Sequence, residues 1–164
     1  MKRLVVLLMA GALWAGCASP NNDPVLNTVG PVPSIAGNDH SATGTLVVYS
    51  AYEVNADFNS RDPNRPEYSD YRIFSDDGKL LEKVHNDSGT IFQDPRRVTL
   101  PTGSYRVFAR ANGFGYVTIP VTISSEQTTM VRLEGNWSAS YRFNDTNAVR
   151  LPDGQVVGYR ATSD

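Results

Sequence analysis

The sequence predicts an all-β fold, an antiparallel sandwich of about seven short strands followed by a C-terminal β-hairpin. Three observations predict it. Apolar and polar side chains alternate at period two along several runs, as in half-buried strands. Turn residues recur roughly every eight to twelve positions. No window carries sustained helical periodicity.

The sandwich is expected over residues 44–134. "TLVVYSAY" is a β-branched and aromatic run that suits a first strand. The polar, proline-containing stretch "EVNADFNSRDPNRPEYSD" reads as a long loop. "YRIFSDDGKLLEKV" reads as two strands joined at Asp77-Gly78, a pair that suits a type I′ turn. "TIFQDPRRVTL" is a strand interrupted at Asp94-Pro95. The strongest alternation follows the corner at Pro101–Gly103: Tyr105, Val107 and Ala109 share one face, and Arg106, Phe108 and Arg110 the other. After Asn112-Gly113, Val117, Ile119, Val121 and Ile123 share a face. Pro120 lacks an N–H, which predicts an edge strand or a bulge there. Thr129, Val131 and Leu133 alternate in the last strand of the sandwich.

Residues 135–164 form a further piece. Trp137, Ala139, Tyr141 and Phe143 alternate with polar residues, and "AVRLPDGQVVGYRA" predicts a hairpin around Asp153-Gly154. A two-stranded hairpin is marginal alone. This extension must therefore join the sandwich or pair with another chain.

The N-terminus has its own logic. Lys2 and Arg3 precede an apolar run, Leu4 to Trp14, that is too short to span a bilayer comfortably. This is the layout of a secretory leader over residues 1–16. Ala15-Gly16-Cys17 then brings the one cysteine of the chain. These residues resemble the lipobox of bacterial lipoproteins, although Trp14 stands where that motif usually has Leu. The resemblance implies acylation of Cys17 and attachment to a membrane through the N-terminal lipid. No Asp follows Cys17, which by resemblance to proteobacterial sorting implies the outer membrane of a bacterial cell envelope. Cleavage at Ala10-Gly11-Ala12, or an unprocessed thiol, are the alternatives. Residues 17–43 are rich in Pro, Asn, Gly and Ser and are expected to be a flexible tether, with Val25, Leu26 and Val29 able to dock on the domain as a short strand.

"LPTGSYRVFARANGF" is similar to the signature of transthyretin-like, carboxypeptidase-regulatory-like modules within the Ig-like sandwiches. Leu100, Gly103, Tyr105, Val107, Ala109, Gly113 and Phe114 carry the match, and the resemblance covers roughly residues 44 to 134. It implies a sandwich that serves as an accessory domain and brings no catalytic residue. The residues themselves read as structural: Gly103 permits a corner, and Tyr105 buries its ring and donates its hydroxyl to a backbone carbonyl.

Charge and inventory narrow the function. The net charge is −2, and removal of a leader with two basic residues takes it to −4, which argues against a nucleic-acid partner. The two histidines, His40 and His85, sit in no metal or nucleophile motif. One cysteine excludes Cys-based zinc sites. No Gly-x-Ser-x-Gly elbow or phosphate loop is present. No enzyme activity, cofactor or metal is expected. The oxygen-rich loop 55–70 departs from EF-hand spacing and reads as solvated. The sequons at Asn86, Asn136 and Asn144 suit surface turns. The expected work is interaction, as a non-enzymatic envelope module with a protein or glycan partner. Arg106, Phe108, Arg110 and Trp137 are the expected ligand surface, since arginines beside aromatics hold acidic glycans by charge and stacking. A carbohydrate-binding module is the alternative reading. A hydrolase with an unfamiliar site is a third.

Overall fold

The computed structural model describes residues 23–31, 42–54, 66–86, 94–137 and 145–161. Cys17, His40, most of the 55–70 loop and residues 138–144 lie outside these. The strands are β1 (Thr43–Tyr49), β2 (Tyr52–Val54), β3 (Pro66–Tyr68), β4 (Tyr71–Ser75), β5 (Leu80–Val84), β6 (Arg97–Pro101), β7 (Gly103–Ala111), β8 (Gly115–Ile123), β9 (Thr128–Arg132), β10 (Ala148–Arg150) and β11 (Val156–Tyr159). The expected all-β fold is present. One sheet has the order β6-β1-β9 and the other β5-β4-β7-β8, with β2-β3 and β10-β11 as separate two-stranded pairs.

The two sheets bury one core. Leu46 and Val48 of β1, Leu100 of β6 and Val131 of β9 join Ile73, Val107, Ile119 and Val121 of the four-stranded sheet. Each is the inward member of an alternating strand, so period-two patterning places the core here. The extension contributes Val149, Leu151 and Val157 to the same cluster, so it joins the sandwich, as a lone hairpin must. Its turn centres on Asp153-Gly154 as expected: Gly154 N donates to Leu151 O and Leu151 N to Gln155 O, both at 2.9 Å.

The corner between β6 and β7 is where the chain changes sheets. Tyr105 Oη donates to Pro101 O at 2.8 Å, and its ring packs on the core. This is the structural role expected of Tyr105.

Three expectations change. The pair β1–β9 is parallel, with Thr45 opposite Thr128 and Tyr49 opposite Arg132. The chain leaves β8 at the end where β1 begins, as Glu126 N donating to Thr43 O shows, so β9 must run alongside β1. The β4–β5 turn is also not type I′. Gly78 N donates to Ser75 O, and Gly78 has φ +89, while Asp77 is not among the residues at positive φ. This is a type I turn closed by a left-handed glycine. The Ser75 hydroxyl bonds the Asp77 carboxylate and holds that acid below the usual carboxylate range.

The third change is in the stretch expected as a long loop, whose ends pair as β2 and β3, with Tyr52 opposite Tyr68 and Val54 opposite Pro66. In the stretch 17–43, residues 23–31 lie along β8 in the parallel sense through isolated bridges, the docking that Val25, Leu26 and Val29 allowed. Val25 pairs with Thr118 and Val29 with Val121. Leu26 and Val29 enter the core, which repays the ordering of this segment. Pro120 fits because its missing N–H faces this outer side, where its carbonyl accepts from Val29 N at 2.9 Å. Gly30 then bonds Tyr159 and Ala161, so the segment bridges β8 to the C-terminal pair.

Tyr71 is buried, and its hydroxyl has no hydrogen-bond partner among the described residues. Burial, and then the charge of Glu82, push its pKa well above the ordinary range. A raised acid pKa leaves stability intact below the unfolded value of about 10 and removes it as pH climbs past that point. Tyr71→Phe is expected to leave stability at neutral pH unchanged or raise it by about 1 kcal/mol, and to blunt alkaline unfolding. Urea titrations at neutral and alkaline pH check this; a destabilised Tyr71→Phe protein would contradict it.

Candidate binding face

The outer face of β5-β4-β7-β8 gathers cations around aromatic rings. Strand pairing builds one row across it. Lys83 lies opposite Arg72, Arg72 opposite Phe108, Phe108 opposite Thr118, and Thr118 pairs with Val25 of the N-terminal segment. A second row sets Phe74 opposite Arg106 and Arg106 opposite Pro120. A third sets Arg110 opposite Tyr116.

The geometry is that of a partly covered aromatic floor with exposed charges. The Phe108 and Tyr116 rings stack at 5.1 Å with 3° between their planes. The Arg72 guanidinium stands 5.9 Å from the centre of the Phe108 ring. Arg106 reaches Asp76 at 3.7 Å, with both side chains well exposed, so solvent weakens this pair. Arg110 is exposed beside Tyr116. Directly opposed like charges destabilise a sheet, and Lys83 against Arg72 is such a pair. The Phe108 contact of Arg72 favours the sheet, and its opposition to Lys83 works against it.

Three of the expected ligand residues, Arg106, Phe108 and Arg110, thus share one face. The fourth does not. Trp137 belongs to a separate cluster built on β9: its ring meets Tyr159 edge-on at 5.8 Å and lies 5.7 Å from the Arg132 guanidinium. Arg132 sits 3.6 Å over the Tyr49 ring and pairs with Glu134 at 2.8 Å. Its charge is answered within the protein, and Trp137 helps cover it. Arg72, Lys83, Phe74 and Tyr116 complete the face and were not singled out from sequence. The signal was present in the alternation of "YRIFS", but only the pairing of β4 with β7 sets Arg72 beside Phe108.

Other groups serve the scaffold. Asp70 accepts from His85 Nδ1 at 2.9 Å and from Asn86 N at 3.2 Å, clamping the end of β5. Asn86 is completely buried, contrary to the surface turn its sequon suggested, because its side chain ties three segments together. Asn136 is exposed in a left-handed conformation with φ 55. Asn144 lies outside the described residues. A cleft of about 390 Å³ lies between Asn27, Gly30, Ser104, Thr122 and Arg160, and no acid or histidine lines it. Among the described residues no group of three His, Cys, Asp or Glu side chains is placed to hold a metal ion. None of their helices is long and apolar enough to cross a membrane.

Fold and face together define an all-β sandwich with a basic, aromatic outer sheet surface. No protein family, curated protein or solved structure matches the chain.

Proposed function

We propose that this protein is a non-enzymatic, lipid-anchored binding module of a bacterial cell envelope, whose outer sheet face takes an anionic partner. One observation carries the reading: Lys83 and Arg72 are opposed across neighbouring strands on an exposed face, beside the Phe108 ring. Such a pair weakens the fold, and an anionic partner relieves the repulsion. The protein is otherwise acidic, so the concentration of cations here is local rather than compositional. The leader and Cys17 supply the anchor in this reading, and the transthyretin-like signature fits an accessory module.

Retention of the domain on isolated envelopes is expected to fall as salt is raised. Arg72→Glu with Arg106→Glu should weaken it at least about tenfold, the worth of one charge-assisted contact. Retention that ignores both substitutions would reject the face. Mass spectrometry of the mature N-terminus tests the anchor, and an unmodified Cys17 would reject it. A second reading, an acidic polysaccharide as the partner, draws on the coplanar Phe108–Tyr116 stack as a sugar platform. It requires that Phe108→Ala weaken binding to a soluble uronate polymer while the domain stays folded.

A further inference from the structure

The direction of the N-terminal segment places one end of the sandwich next to any anchor at Cys17. Pro24 O accepts from Thr118 N at 3.0 Å, and Leu26 N donates to Thr118 O at 2.9 Å. Three residues later Val29 is bonded to Pro120 and Thr122. The segment therefore starts near the β7–β8 turn and runs away from it. Asp23, the first described residue, lies at the turn end. Cys17 is six residues upstream of Asp23, and six residues reach about 20 Å at full extension. The opposite end, where β8 runs into the turn at 124–127, lies roughly 30 Å further on, from nine residues at strand rise.

The turn end exposes what a headgroup layer accepts. Val25 is 68% exposed, Tyr116 51% and Phe114 36%. Arg110 stands opposite Tyr116, and Arg72 and Lys83 continue the row that ends at Val25. Tyrosine rings settle at the level of lipid headgroups, and arginines bond phosphate. A soluble polyanion would account for the cations. It would not account for exposed Val25 and Phe114 at the end from which the anchor departs.

We infer that Val25, Arg110, Phe114 and Tyr116 seat on an anionic phospholipid surface, which makes the bilayer itself the anionic partner of the basic face. The inference rests on the lipid-anchor reading above. Residues 17–164 contain a single thiol and a single tryptophan, Cys17 and Trp137. This allows a direct test. The chain is coupled through Cys17 to a maleimide lipid in vesicles of phosphatidylethanolamine and phosphatidylglycerol. Phe114→Trp and Tyr116→Trp each replace one exposed aromatic with another, and Ser125→Trp marks the far end. Emission above that of the parent is followed with lipids brominated close to the headgroup. Positions 114 and 116 are expected to lose much of their emission, because aromatic rings settle at headgroup level, and position 125 almost none. Adding Arg72→Glu and Arg110→Glu should reverse most of that loss.

Equal quenching at all three positions, or at none, would overturn the inference. Quenching abolished by a soluble uronate polymer would overturn it too and assign the face to a polymer. The maleimide lipid supplies the anchor chemically, so these outcomes do not depend on acylation in the cell. The anchor reading fails separately, on an unacylated Cys17 in the native protein.

Discussion

Asn86→Ala is expected to destabilise the protein by about 3 kcal/mol, because it strands several buried polar groups at once. The Asn86 amide donates to Val48 O at 2.9 Å and to Ser50 Oγ at 2.8 Å. Its carbonyl oxygen accepts from Arg96 N at 3.1 Å. Ser50 Oγ in turn donates to Ser69 O at 2.6 Å. One side chain thus joins the ends of β1 and β5 to the lead-in of β6, across segments far apart in sequence. Alanine removes the donor from the buried Val48 carbonyl and from Ser50 Oγ and the acceptor from the Arg96 N–H, and a buried group left unpaired costs more than its bond contributes net. Asn86→Asp should fare no better, since an acceptor would then face the Val48 carbonyl. Urea unfolding reads the effect as a lower midpoint at constant slope. A shift worth less than about 1 kcal/mol would show that the network is solvated.

Gly158→Ala is expected to cost about 2 kcal/mol, by overpacking the seat of the N-terminal segment. A methyl group there would lie 2.7 Å from Val29 Cγ1 and 2.9 Å from Cγ2. Valine is stiff about χ1 and has no room to turn aside in a core where it is 2% exposed. In a Val29→Ala background the obstruction is gone, so the same substitution should cost much less. The double-mutant cycle should show a coupling of about 1 to 2 kcal/mol. Equal costs in both backgrounds would mean that Val29 does not sit against β11.

The two positions show what was and was not legible in the sequence. Val29 stood out as an apolar residue able to dock from a polar stretch, but its seat against Gly158 had no local signal. Asn86 looked like a surface sequon because its neighbours are Asp87, Ser88 and Gly89, residues of turns. Its burial comes from partners at positions 48, 50 and 96, which no local window contains. The face around Phe108 behaved in the same way. Its β7 members followed from alternation, whereas Arg72 and Lys83 joined it through pairing across the sheet, and Trp137 left it for Arg132 and Tyr159.

By itself the sequence determined the strand character of β1 and β4 through β9, the hairpin at Asp153-Gly154, the Tyr105 corner and which side of β7 points inward. Those features depend on side-chain period and turn chemistry, which act over a few residues. Only the tertiary structure decided that β9 runs parallel to β1, that residues 23–31 dock along β8, and that the cations of three strands lie side by side. Those depend on which edges meet and in what register, and the free energy that selects them comes from burying one shared core between distant segments.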